Sequence, residues 1–302
     1  MNDGLSDISA SVRARLNNLA REEGRPFQEL LFHYGMERFL YRLSKSRFRD
    51  DFILKGGLVF EVQQLPGRRF TRDVDLLSCS ENSMENIRKI IGEICNLEVI
   101  PDGLLFDLRG IQVEEIRKPA ESPGIRVRFR AFLGSAKIPM QLDLGFSDEV
   151  YPEPKLVVFP TLLEMVSPRI LRYPWESVVA EKFEAMIRLG AINSRMKDFY
   201  DIWLLSRQIP FEGEKLAEAI RRTFSRRQTP IPNSESVIFG LQFAEHRQPL
   251  WSQFAVRTGV EGIPNSFAEI LESLAVFLLP LCVSLNAKED YGKRWQPGVG
   301  WQ

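Results

Sequence analysis

Residues 69–77 read Arg69-Phe70-Thr71-Arg72-Asp73-Val74-Asp75-Leu76-Leu77, a β-forming run that opens on two aspartates separated by a valine. Strand side chains alternate between faces, so Asp73 and Asp75 point one way while Val74 points the other way, into a core. Two like charges so close are costly unless a cation sits between them. A third acid, Asp143 in the stretch MQLDLGF, lies on a separate strand whose Met140, Leu142 and Leu144 share the opposite, apolar face. Placed beside the first, that strand puts three carboxylates on one polar face. Carboxylates converging on divalent metal ions are what phosphoryl-group transfer from a nucleotide requires. Upstream, Lys55-Gly56-Gly57 offers bare backbone against which a triphosphate can fit, with Lys55 as a counter-charge. Each piece also has a plainer reading: a turn for Gly-Gly, a solvated strand end for Asp-x-Asp and a β-turn cap for Asp143. The ordered combination carries the signal.

Working outward, apolar residues recur at helical spacing from Ser11 to about Ser44, which predicts two helices broken at Glu23 to Pro26. FILKGGLVF reads as a helix or strand entering a glycine turn, and Asn82 to Cys95 as a helix. From Leu97 to Phe159 the period changes to two, with LLFDL, IQVEEI, RVRFRAF, IPMQLDLGF and KLVVF separated by PDG, SPG and GSAK turns. Pro160, Pro168 and Pro174 punctuate a connector, and everything beyond Trp175 reads as helix, the first one opened by Pro174 and closed by Gly190. The residues from Asn286 to Gln302 lack apolar periodicity and predict a flexible tail. The fold class is therefore α/β (α+β), with an α/β domain over residues 1–160, a helical domain over 161–285 and the tail over 286–302.

At 302 residues, two domains are the natural expectation. Lys plus Arg equals Asp plus Glu at 40 each, which argues against an overall basic surface, so any polynucleotide contact must be local. Cys79, Cys95 and Cys282 are scattered and form neither a disulfide framework nor a zinc-ligand spacing, as expected of a cytoplasmic protein. The longest apolar run, Leu274 to Leu285, contains Pro280 and is too short to span a bilayer, so no membrane association is expected.

In these motifs the chain resembles the nucleotidyltransferase superfamily, and within it the AbiEii/AbiGii toxins of type IV toxin–antitoxin and phage-abortive systems, which include MenT-like proteins. The family's first motif, a Gly-Gly turn and then an Arg-x-Thr/Ser-x-Asp-x-Asp strand, is matched by Gly56, Gly57, Arg69, Thr71, Asp73 and Asp75. Its second is the strand with Asp143, its third the helix with Ala180-Glu181-Lys182, and its fourth Lys197-Asp198-x-x-Asp201. The spacing from Gly57 to Asp73 is longer than in many compact nucleotidyltransferases, and a hairpin at QQLPGRR would absorb it. The resemblance implies a mixed-sheet nucleotidyltransferase domain and catalysis by Asp73, Asp75, Asp143, Lys182 and Asp198. It implies nucleotide binding by Lys55, Gly56, Gly57, Thr71, Lys182 and Lys197, with Mg²⁺ or Mn²⁺ on Asp73, Asp75 and Asp143. An NTP is the implied co-substrate, RNA (above all the tRNA acceptor end) the implied acceptor, and arrested translation the outcome. A cognate antitoxin encoded alongside is the implied partner.

Residues outside these motifs bear on the acceptor. Arg126, Arg128 and Arg130 alternate along one strand face, and Arg221, Arg222, Arg226 and Arg227 cluster near Phe224. Either set could track an RNA backbone, or form a solvated face balanced by acids such as Asp107, Glu114 and Glu115. His33 and His246 have no acid partner pattern and receive no catalytic role. Two rival readings remain: the same fold acting on a protein or small molecule, and a nucleotide-binding toxin without turnover.

Overall fold

The computed structural model describes residues 3–79, 83–116, 124–146, 148–233 and 236–302. The expected turn at Ser122-Pro123 and the expected helix start at Asn82 lie outside them. The chain forms two compact units: Met1–Gln63, Phe70–Ser147 and Lys155–Arg172 make the first, and Gln64–Arg69, Asp148–Pro154 and Tyr173–Gln302 the second.

The first unit opens with helices α1 (Asp3–Glu22) and α2 (Phe27–Lys45) and continues through β1 (Phe52–Lys55), the single-turn α3 (Val59–Val62), β2 (Val74–Ser78) and α4 (Met84–Cys95). Strands β3 (Leu104–Ile116), β4 (Gly124–Leu133), β5 (Ala136–Phe146), β6 (Lys155–Val158) and β7 (Arg169–Arg172) follow. The seven strands form one mixed sheet in the order β3-β4-β5-β2-β1-β7-β6. Strand β2 runs parallel to β5 and antiparallel to β1, and β1 runs parallel to β7. Period-two alternation fixes which face is buried: Ile125, Val127, Phe129 and Ala131 of β4, with Ile138, Met140, Leu142 and Leu144 of β5, are all core. Helix α2 covers this face closely. A Cβ on Gly35 would stand 3.0 Å from Ile138 and from Met140, which explains the glycine within the helix.

Two expectations are corrected in this unit. The proline-punctuated connector after residue 160 is not outside the sheet, because Ile170 is buried and β7 pairs along β1. The QQLPGRR segment makes a turn, with Arg68 N–H donating to the Leu65 carbonyl at 3.1 Å, but it is not a hairpin extending the sheet. Its residues Gln64–Arg69 belong to the second unit instead.

Helix α2 also buries charge that helical spacing alone would place at the surface. Arg42 donates to both carboxylate oxygens of Asp102 at 2.7 and 3.1 Å, Arg38 donates to the Val166 carbonyl at 3.0 Å, and Tyr34 donates to the Asp102 carbonyl at 2.6 Å. Glu37, fully buried, accepts the backbone N–H of Leu162 at 2.8 Å. These bonds satisfy most of these buried polar groups, leaving Glu37 Oε1 and Arg38 Nε without a hydrogen bond, and they tie two loops to one helix.

The second unit is built from α5 (Trp175–Leu189), α6 (Met196–Gln208), β8 (Phe211–Glu212), α7 (Gly213–Arg226), α8 (Leu241–Thr258), α9 (Phe267–Ala287), β9 (Arg294–Gln296) and β10 (Gly300–Trp301). Its core joins Phe199, Phe243, Trp251, Phe254 and Phe267, with Phe199 edge-on to Phe267, Trp251 stacked on Phe267 and the other pairs tilted. The C-terminal residues are not the flexible tail expected. β9 pairs with β8 and with β10, the Trp295 indole donates to the Ser206 carbonyl at 2.7 Å, and the Trp301 ring stacks on Phe277 at 5.8 Å. Strands of three and two residues are too short to carry a period-two signal in the sequence. Among the described residues, α9 is long and apolar enough to cross a membrane, which the interrupted run Leu274 to Leu285 did not predict; its Leu274, Phe277, Leu278 and Leu281 are buried in this unit.

Burial pushes the Glu37 carboxyl from its ordinary 4.5 up to about 7, against the opposing pull of the Leu162 N–H and Arg38. A folded-state pKa above the unfolded one means that the folded form retains a proton the unfolded chain has released. Stability contributed here is full below about pH 4.5 and is lost as pH rises to about 7, a change on the order of 3 kcal/mol. Glu37→Gln should therefore gain stability relative to the parent over this window. Urea unfolding of both proteins between about pH 4 and 8 checks it, and a constant difference between the two curves would contradict the assignment.

Candidate active site

In the first unit the sequence-expected residues meet on the polar face of the sheet. Lys55 of β1 is the register partner of Asp75 of β2, Asp75 of Asp143 on β5, Asp143 of Arg126 on β4, and Arg126 of Glu114 on β3. Residues directly opposite on neighbouring strands point to the same face. A single row therefore runs cation, anion, anion, cation, anion across five strands. Val74, Leu142, Val127 and Val113 form the row beneath it, three of them buried and Val113 half-buried.

Two contacts shape the row. The Asp75 carboxylate lies directly on Gly56, where a Cβ would come within 1.9 Å of its Oδ2, and Gly56 has a positive φ of 70°. Thr71 packs on Gly57 in the same way, 2.8 Å from where a Cβ would be. The glycine pair thus makes room for the protein's own acid and hydroxyl, a requirement separate from any triphosphate. At the other side Arg126 grips Asp143 with two parallel bonds of 2.7 and 2.6 Å, each side chain 17% exposed. Asp73 stands just before β2 and is close enough for its charge to act on Arg126. Among the described residues, no three His, Cys, Asp or Glu side chains are gathered so as to hold a metal ion. The donor type suits a hard cation such as Mg²⁺ or Mn²⁺, but with Asp143 turned to Arg126 the three acids do not form a ready cage.

In the second unit, Lys182 of α5 sits between two carboxylates of α6, its ammonium 2.8 Å from Asp198 and 2.8 Å from Asp201. Arg195 donates to Asp198 at 2.6 Å, and Arg69 donates to both oxygens of Asp201 at 3.0 and 2.9 Å. Burial opposes charge on both acids, yet Lys182 and Arg195 hold Asp198 well below the usual carboxylate range, and Arg69 and Lys182 lower the Asp201 pKa. Burial likewise opposes the Lys182 charge, and the two aspartates outweigh it and keep its pKa above that of an ordinary lysine. Lys197 shows the reverse balance. The surrounding protein, with Lys182, Arg69 and Arg195 adding repulsion, pushes its pKa down despite Asp198. Four cations thus surround two carboxylates, a surplus of positive charge suited to an anion such as a triphosphate.

The sequence placed Lys182, Lys197 and Asp198 here, but the roles of Asp201, Arg69 and Arg195 emerge only from the fold. The basic cluster near Phe224 is not an open wall. Arg221 and Arg222 both pair with Glu218, and Arg227 is held by Glu184 and Asp148 at 2.8 and 3.0 Å. On β4, Arg128 is shared between Gln141 and Glu114, while Arg130 is exposed. A cleft of about 260 Å³, lined by Gln112, Arg128 and Arg130 among others, lies where the register of β3 and β4 shifts.

Residues 38–273 match the sequence profile of the family described as Nucleotidyl transferase AbiEii toxin, Type IV TA system. No curated protein matches the chain by sequence. The structure of JHP933 from Helicobacter pylori is similar at 14% identity and a TM-score of 0.47, over 86% of this chain and 94% of that one. A protein of H. pylori described as a candidate nucleotidyltransferase is similar at 14% identity and a TM-score of 0.45, over 87% and 99%.

Two outcomes follow from the packing. Gly56→Ala forces a side chain into a positive-φ position and into the Asp75 carboxylate, and should cost about 1–3 kcal/mol. Combining it with Asp75→Ala should cost less than the sum of the two changes in denaturant melts, whereas strict additivity would separate the residues. Lys182→Met removes the cation shared by two buried carboxylates, leaving each with a single arginine, and should cost up to about 3 kcal/mol. A partial return of thermal stability on adding Asp198→Asn checks this, and no return would remove the coupling.

Proposed function

The chain belongs to the AbiEii family of nucleotidyl transferase toxins of type IV toxin–antitoxin systems, and we propose that it transfers a nucleotide from an NTP to RNA in the cytoplasm. The 3′ acceptor end of tRNA is the foremost target, and blocked translation is the consequence. The observation that carries the reading is the in-register pair Asp75 and Asp143, with Asp73 beside it, on one polar sheet face. In the proposed reaction an acceptor hydroxyl oxygen bonds to the α-phosphorus as the bond to pyrophosphate breaks, and one of these carboxylates takes the hydroxyl proton. A divalent cation on the aspartates would supply charge neutralisation at the phosphates. Lys182 and Lys197, with the positive surplus around them in the second unit, are proposed to bind a triphosphate, as the family resemblance implies. The exposed Arg130 and the cleft beside Arg128 support a nucleic-acid acceptor. Membership of a type IV toxin–antitoxin family implies a cognate antitoxin.

A second reading, transfer to a protein or small molecule, draws on the pairing of Arg221, Arg222 and Arg227 with acids, which leaves less free basic surface than an RNA enzyme would use. Incubation with each labelled NTP, Mg²⁺ and either total RNA or RNase-treated extract separates the two. Label in tRNA-sized RNA, reduced at least about a hundredfold by Asp75→Asn and declining steeply with salt, is expected. Label on protein or small molecules would overturn the RNA acceptor, and label equal in parent and Asp75→Asn would overturn the site.

A further inference from the structure

Helix α9 buries one side in the second unit and leaves the other side uncovered. Leu274, Phe277, Leu278 and Leu281 are buried, whereas Val276 and Val283 are 60% and 63% exposed. The two valines lie two turns apart on one helix face, and Leu279 and Pro280, both half-buried, fall between them. No charged residue interrupts the helix between Glu272 and Lys288, so its outer side runs free of charge for about four turns. A helix side that faces water ordinarily carries charged and polar residues, and an apolar stripe rimmed by charge marks a surface that another molecule covers.

The charges at the two ends of the stripe indicate what that molecule is. Glu272 at one end and Lys288, the C-cap, at the other are exposed, and among the described residues neither is ion-paired within the chain. Val276 and Val283 lie equally far on either side of the midpoint between Leu279 and Pro280. Glu272 and Lys288 do so nearly, with a mismatch of one residue or about 1.5 Å, which a lysine side chain absorbs. A second α9 laid antiparallel on this midpoint sets Val276 against the other copy's Val283 and Glu272 against the other copy's Lys288, each contact made twice by symmetry. A parallel copy sets like charge against like at both ends. The acids that follow Lys288 do not spoil the match. Lys288 takes a left-handed φ of 59°, and the Glu289 N–H folds back to the Ser284 carbonyl at 3.0 Å, which turns the chain off the helix axis.

We propose that the outer face of α9 is a self-association surface on which a second copy of this chain docks antiparallel, forming a two-fold dimer. Burial of the valines supplies attraction without direction, and the Glu272 and Lys288 pairs fix the orientation. The inference stands apart from the nucleotidyltransferase reading, because α9 carries none of the residues assigned to that reaction.

The test is sedimentation velocity of the full chain over a range of concentrations from about 1 to 100 µM. The parent should pass from the 34.8 kDa monomer to a species of twice that mass. Val283→Glu should weaken the dimer about tenfold or more, with an unchanged melting temperature in dilute solution because the side chain is already exposed. Glu272→Lys and Lys288→Glu should each weaken association, and the two together should restore it. Orientation is read by disulfide cross-linking in a Cys79→Ser background, which removes the exposed native thiol. Val276→Cys mixed with Val283→Cys should cross-link in preference to either protein alone. A chain that stays monomeric throughout, or a dimer indifferent to Val283→Glu, overturns the proposal, and preferred cross-linking of Val276→Cys to itself overturns the antiparallel arrangement. Sedimentation with phosphatidylcholine–phosphatidylglycerol vesicles, by a protein monomeric without them and abolished by Val283→Glu, assigns the face to a lipid surface and overturns the second copy as its occupant.

Discussion

Repulsion between Asp75 and Asp143 is the constraint around which the first unit is organised. Neighbouring strands hold these like charges in register, an arrangement that is destabilising unless something offsets it. Lys55 stands on one side and Arg126 on the other, and the valine and leucine row beneath fixes the register that keeps all four aligned. A slip by one residue would turn the acids into the core. The sheet and its burial pattern are therefore what place the chemistry, and Gly56 is what lets Asp75 lie flat against the backbone.

The second unit solves the same problem in another way. Asp198 and Asp201 are almost fully buried, which would be prohibitive without compensation. Lys182 bridges them, and Arg195 and Arg69 take up the remaining oxygens. Carboxylates act here as hubs that hold cations in place. A lysine so held cannot sample its usual rotamers, and this preorganises its charge.

Much of this was legible in the sequence where the periodicity is local. The alternation in RVRFRAF and MQLDLGF defined β4 and β5 and their buried faces, and the Asp-x-Asp run defined β2. Register was not legible, because strand pairing joins residues far apart, and the Lys55 to Glu114 row exists only once β1 to β5 are aligned. For the same reason Arg126 read as one of three arginines on a stripe. Arg69 read as a motif residue before the aspartates, although its partner Asp201 lies 132 positions away. Glu37, Arg38 and Arg42 occupy a helix whose charges would ordinarily face water, and only the Asp102 and Leu162 partners explain their burial. The C-terminal strands leave no apolar repeat in the sequence, because Trp295 and Trp301 anchor them through indole bonds and ring stacking.

The segment Gln64–Arg69 leaves the first unit between β1 and β2, is fastened in the second by Tyr200 on the Gly67 carbonyl and Gln208 on the Pro66 carbonyl, and returns directly into the Asp73 strand. No single cut in the gene yields two self-sufficient modules. A recombinant that joined the first half of one family member to the helices of another would seat the Gly67 turn on an α6 helix it did not evolve beside, so the turn and the helix are expected to be exchanged, and to diversify, only together.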